Sequence, residues 1–120
     1  MNHFDILIPG HYFCDLIFTG LADLPQLGTE IYSQGMQLVP GGGAINTMVA
    51  LHRLQIKSGW IGVLGSDFAS RFIADWLVGE GIKLSLVRRD AEPMRRMTVA
   101  LSYPHERAFV SYIDPAPDIV

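Results

Sequence analysis

The stretch SGWIGVLGSDFASRFIADWLVGEGI, Ser58 to Ile82, decides the fold. Its first part, Ser58 to Leu64, is an apolar run of strand length that meets Gly65-Ser66-Asp67, and it reads as an interior strand. From Ala69 the apolar positions 69, 72, 73, 76 and 77 fall at i, i+3, i+4, i+7 and i+8, which lays one stripe along a helix. Asp67 stands before that helix as its N-cap, and Gly81 stands where helices commonly end. A strand that runs straight into an amphipathic helix is one step of a parallel α/β sheet.

Working upstream, VPGGGAINTMVALHRLQ, Val39 to Gln55, repeats the step in reverse proportion. Gly41, Gly42 and Gly43 precede a helix over Ala44 to Leu54 that is apolar at 44, 45, 48, 49, 50, 51 and 54, too broad for one narrow stripe, so the helix is expected to be mostly buried. Further upstream, Asp5 to Pro9 (DILIP) reads as a strand buried on both faces and ending at Gly10. Tyr12 to Phe18 is strand-like but interrupted by Asp15. Thr19 to Thr29 reads as a loop, and Glu30 to Val39 as a strand with Gly35 as a bulge.

Downstream, Ile82 to Val87 alternates apolar and polar residues and is expected to add a strand. After the charged connector RRDAEPMRR come Met97 to Tyr103 and Ala108 to Ile113, joined by PHER as a hairpin with 97, 99, 101 and 103 on one face and one side solvated. The pair at about 12–18 and 30–39, with the hairpin at 97–103 and 108–113, reads as an antiparallel layer apart from the parallel core. A core of about three parallel strands would leave an exposed edge. The chain is therefore expected to be the N-terminal part of something longer.

Composition narrows the function. With 49% hydrophobic and 18% charged residues the chain has the balance of a folded globular protein. A formal net charge of -3, with no Lys/Arg run, offers no grip for nucleic acid or an anionic membrane, so small molecules or proteins are the expected partners. A single cysteine, Cys14, cannot form an internal disulfide and reads as a small buried apolar residue. The first ten residues lack a basic region and a long apolar run, so no secretory signal is expected. No stretch has the length to span a bilayer, and a cytoplasmic location is the expectation.

Ligands of open α/β sheets bind beyond the carboxyl ends of the strands, where Asp15, the glycine run with Asn46, and Gly65-Ser66-Asp67 would fall. Two readings fit the glycines: a turn that needs positive φ, or a backbone a ligand can approach, with Asn46 supplying a donor and an acceptor. Two fit Asp15: a carboxylate that accepts from a vicinal diol, or an exposed polar residue on an edge strand. His3, His11, His52 and His105 have no metal-ligand spacing, so packing or surface roles are expected and no metal site is assigned. Arg107 and Phe109 on the hairpin fit either ligand contact or an ordinary strand.

Together GHYFCD, LPQLGTE, PGGGAIN, IGVLGSDFASRFIADWLVGEGI and MTVALSY resemble the N-terminal region of the ribokinase-like, or PfkB, carbohydrate kinases. The resemblance implies a ribokinase-like, Rossmann-like α/β core with a small β-sheet lid that often forms a dimer contact, here as a partial domain, 1–120. It implies phosphorylation of a sugar, sugar phosphate or nucleoside with ATP and magnesium (Mg2+). By position, Asp15 resembles the aspartate that binds substrate hydroxyls, and Gly41, Gly42 and Asn46 resemble the substrate-binding glycine pair and asparagine. No catalytic residue is assigned here: the family's base, anion hole and ATP site lie downstream of Val120 in complete members, which implies a chain inactive by itself. A noncatalytic sugar- or nucleoside-binding or dimerisation module is the alternative. The sequence departs from the pattern at Phe13 (usually Asn), at Gly43-Ala44 (usually Lys-Gly), at Ser70 (usually Gly) and at Gly28-Thr29-Glu30 (usually Gly-Glu-Thr).

Overall fold

A computed structural model describes residues 3–115. The elements in order are β1 (Ile6–Pro9), β2 (Phe13–Thr19), β3 (Gly35–Gly41), α1 (Gly43–Arg53), β4 (Ser58–Leu64), α2 (Phe68–Gly79), β5 (Val87–Arg89), β6 (Arg96–Ser102) and β7 (Arg107–Ile113). They form two sheets: a parallel one in the order β1-β4-β5, and a four-stranded one in the order β3-β2-β6-β7. In the second sheet β2 lies antiparallel to β3, and β6 antiparallel to β7, while β2 and β6 run parallel. The expected antiparallel layer is thus a mixed sheet. Its two hairpin-like pairs are joined side by side at Cys14↔Met97, a pairing between distant segments that local alternation does not encode.

The helices form where the apolar stripes predict them. Ile45 and Met48 of α1, Ile73 and Leu77 of α2, and Trp60 and Leu64 of β4 share one buried cluster, which reaches the second sheet through Tyr12 and Cys14. Asp67 caps α2 by accepting from the Ser70 N–H at 3.0 Å. At the other end the Gly81 N–H donates to Val78 O at 2.9 Å and the Ile82 N–H to Leu77 O at 3.0 Å, with Gly81 at φ 86. That pairing satisfies the last carbonyls of the helix. The end of α1 repeats it with Gln55 at φ 64.

Four expectations change. β1 is an edge strand, with β4 its only neighbour among the described residues, and it is not buried on both faces: Ile6 and Leu7, which point to opposite faces, are 40% and 55% exposed because little packs over either. α1 buries Ile45 and Met48, yet Ala50 and Leu54 are exposed, since it packs by one side only. The strand expected at 30–39 begins at Gly35, because β2 ends at Thr19 and Gly20, at φ 71, turns the chain away. Gly35 therefore opens a regular ladder and is no bulge. The strand expected over 82–87 is confined to Val87–Arg89: the Val87 N–H bonds back to Leu84 O, so the alternation of Ile82 and Leu84 reports packing on the core, not pairing.

The mixed sheet has two unlike faces, because side chains alternate along each strand. Register puts Leu38 and Met36, Leu16 and Phe18, Val99 and Leu101, and Val110 and Ala108 on one face. The other carries Phe13 and Asp15, Arg96 and Thr98, and Ser111. On the hairpin that side mixes Arg96, Thr98 and Ser111 with Ala100, Phe109 and Ile113, and Val110 on the opposite side is also exposed, so the expected single solvated side is not what the strands show.

Candidate functional site

Gly10 follows β1, Gly65 follows β4, and the Gly41–Gly43 run leads from β3 into α1, so the glycines gather beyond strand ends, where α/β sheets bind ligands. A larger depression lies at the opposite strand ends, among Phe4, His52, Ser58 and Ile82. None of Asp15, Gly41–Gly43, Asn46 and Gly65–Asp67 lines it.

Asp15 sits mid-β2 between Val39 and Thr98. Burial pushes its carboxyl above the ordinary range, and no hydrogen bond or neighbouring cation draws it back. Gly41 explains how the carboxylate fits: a Cβ there would overlap the Asp15 carboxylate. Gly42 is needed for backbone reasons. It is the N-cap of α1 at φ 92, and a Cβ would lie 3.2 Å from His11 O and Phe13 N. Gly43 meets neither requirement, for its Cβ would face open space.

No side chain caps α1, so its first-turn N–H groups are left for another acceptor. Asn46 is exposed one turn inside, its N–H bonded to Gly42 O at 3.0 Å. Its side chain lines a groove with Val39, Pro40, Val49, Arg53 and Trp76. The structure therefore brings Asp15 and Gly41 into contact, and sets Asn46 on the adjoining helix without placing Asp15 in the same groove.

Sequence reasoning missed a polar cluster at the joint between the sheets. Tyr12 donates to Met94 O and lies 3.2 Å from Ser70 Oγ. Ser70 Oγ donates to Asp67 Oδ1 at 2.9 Å and accepts from the Gly65 N–H at 2.9 Å, while the Met94 N–H donates to Asp67 Oδ1 at 2.8 Å. Burial works to raise the Asp67 carboxyl, but the Met94 and Ser70 N–H groups and the Ser70 hydroxyl together hold it below the usual range. Burial also pushes the Tyr12 hydroxyl up to about 12 and the Cys14 thiol up to about 11. Ser70, standing where the pattern carries glycine, was the one signal of this cluster. Asp67 is thus both a helix cap and a tie to the second sheet.

Two adjacent arginines diverge. Arg95 grips Asp114 through Nε at 2.8 Å and Nη2 at 3.1 Å, and holds that carboxyl well below its usual range. Arg96 turns the other way, its guanidinium 4.5 Å from the centre of the Phe13 ring and its Nε donating to Tyr12 O at 2.9 Å. No helix among the described residues is long and apolar enough to cross a membrane.

Residues 9–118 match the model of the pfkB family of carbohydrate kinases. The chain is 32% identical over 80 residues to the aminoimidazole riboside kinase of Salmonella typhimurium, covering 66% of this chain and 25% of that protein. It is 33% identical over 81 residues to a fructokinase of Klebsiella pneumoniae, covering 67% and 26%. The chain spans about a quarter of the length of these curated relatives. Among solved structures, Arabidopsis thaliana ribokinase, complexed with ribose and ATP, shares the fold with a TM-score of 0.76 at 22% identity, over 89% of this chain and 35% of that one. Halothermothrix orenii fructokinase aligns with a TM-score of 0.71 at 26% identity, over 90% and 37%.

Proposed function

This chain belongs to the pfkB family of carbohydrate kinases, and from that premise we propose that the full-length protein phosphorylates a hydroxyl of a sugar, sugar phosphate or nucleoside with ATP and magnesium. The carrying observation is the Asp15 carboxylate, half-buried, uncompensated and seated against a glycine. Such a group accepts hydrogen bonds from acceptor hydroxyls, and its desolvation makes those bonds strong. Gly41 and Gly42 admit the acceptor to the entrance of α1, and Asn46 adds a donor and an acceptor.

The work of these residues is positioning, which supplies much of the rate in phosphoryl transfer. Among the described residues no three His, Cys, Asp or Glu side chains cluster to hold a metal ion, so no step is assigned to magnesium here. In this reading the base and nucleotide site come from sequence beyond Val120, and the 120-residue chain alone turns nothing over. The mixed sheet, 13–19, 35–41, 96–102 and 107–113, is the lid. Its closure excludes water from the transfer. Its apolar face, with Val110 69% exposed, pairs with the lid of a second copy.

ADP release by the full-length protein, measured over a panel of sugars, sugar phosphates and nucleosides with Mg-ATP, tests the reading. Turnover of at least one is expected. Asp15→Asn is expected to raise its KM by about tenfold or more, the scale of one lost charge-assisted hydrogen bond. Because burial raises the native carboxyl's pKa, ionisation opposes folding above the ordinary carboxylate range, so the same variant should melt higher at neutral pH. Acceptor binding without any ADP release would instead make this a noncatalytic binding module.

A further inference from the structure

Arg96 and Arg95 are neighbours in sequence, but only Arg95 has a carboxylate partner. Among the described residues no carboxylate approaches Arg96 within ion-pair distance, and only its Nε is bonded. The guanidinium is nevertheless held in place, stacked on Phe13 and tied to Tyr12 O. A partly buried cation without a counter-charge is unfavourable unless something completes it.

Its position says what. Met97 pairs with Cys14 and Thr98 with Asp15, so Arg96 stands beside Phe13 on the Asp15 face. Phe13 in turn borders Gly42, its ring 3.6 Å from where a Cβ would stand, at the uncapped start of α1. His11 is the third member: its Nδ1 is buried without a partner, and burial with the nearby Arg96 charge lowers its pKa. A neutral His11 keeps one ring N–H to donate. Asp15 gains nothing from Arg96, since burial alone shifts it. An uncommitted carboxylate and an uncommitted guanidinium therefore share one face, with Phe13 and its Arg96 stack one alternation away from Asp15.

We propose that Arg96, with His11 beside it, recognises an oxyanion on the acceptor, a carboxylate or a phosphate monoester, while Asp15 takes the hydroxyls. This rests on the kinase reading and narrows it to an anionic sugar. Phe13, at a position where the pattern usually has Asn, is then the platform that orients the guanidinium, whose planar fork matches either oxyanion.

The test uses the full-length protein, Mg-ATP and three acceptors: D-fructose, D-fructose 6-phosphate and 2-keto-D-gluconate. One anionic acceptor is expected to exceed fructose in kcat/KM by about tenfold or more, chiefly through KM, and which one does so separates phosphate from carboxylate. Arg96→Gln should lower that anionic-to-neutral ratio by about tenfold or more, and Arg96→Lys should recover part of it. A ratio does not depend on the fraction of folded enzyme. An unchanged ratio in Arg96→Gln, or fructose as the best acceptor, overturns the assignment and leaves the kinase reading standing. Calorimetry without ATP supplies the converse: Arg96-dependent binding of an anionic acceptor that is never phosphorylated sustains the anion site and removes the kinase reading. Failure of both anionic acceptors to bind also overturns the assignment.

Discussion

The two sheets differ in what they leave open. Among the described residues β1 is an outer strand of the parallel sheet, and its Ile6 and Leu7 lie exposed, so apolar surface goes uncovered there. The mixed sheet, paired in continuous register from β3 to β7, likewise ends in outer strands but also leaves an apolar face open, with Met36 and Val110 exposed. An open parallel edge accepts another strand, while an open face accepts a ligand or another face. The mixed sheet passes into α1 at Gly41–Gly42 and is tied to the connection after β5 at Tyr12–Met94, and the uncompensated side chains lie near those joints.

The sharpest way to break that comparison is to fill the first joint. Gly41→Ala forces its Cβ against the Asp15 carboxylate, so acceptor kcat/KM in the full-length protein should fall by about a hundredfold, with about 1–3 kcal/mol lost from overpacking in denaturant unfolding. An active, fully stable Gly41→Ala would mean that Asp15 does not sit against this backbone.

Loosening the second joint should have a smaller effect. Tyr12→Phe leaves Met94 O without its donor, at about 1–3 kcal/mol, and should speed amide exchange around Met94 more than within β7. Acid should act on the same joint. Asp67 has a depressed native pKa, so its contribution is present above the ordinary carboxylate range and is lost as pH falls through the native value. Asp67→Asn should flatten that acid limb of the stability curve. An acid limb unchanged in Asp67→Asn would show that another carboxylate carries it.

The least effect belongs to the neighbour of the first. Gly43 opens α1 at a helical position facing empty space, so Gly43→Ala should raise stability by about 0.5–1 kcal/mol and leave Asp15 untouched. A marked loss of acceptor affinity in Gly43→Ala would show that the ligand passes over this residue.

How far the molecule was legible follows the same division. β4 and α2 could be read almost to the residue, because periodicity and capping are local properties, and Asp67 and Gly81 do what their types suggest. Burial of β1 could not be read, since an apolar run does not say whether a layer covers each face. Nor could the start of β3, which is set by where β2 stops. Asp15 and Gly41 were legible as candidates from their residue types, and the fold sets one against the other. The Tyr12–Ser70 and Arg96–Phe13 relations join residues far apart in the chain, and only the parallel β2–β6 pairing brings the second pair together.

The clasp between Arg95 and Asp114 closes the β6–β7 hairpin at its base, where the Asp114 N–H also donates to Arg95 O at 2.8 Å. The chain thus leaves this excursion beside the point where it entered. Such a segment is a graftable insert: residues added at its tip, between Tyr103 and Glu106, lengthen the excursion at small entropic expense without altering the route of the polypeptide through the parallel sheet. If the sheet is the lid proposed above, its reach over an acceptor is set by the length of this tip alone.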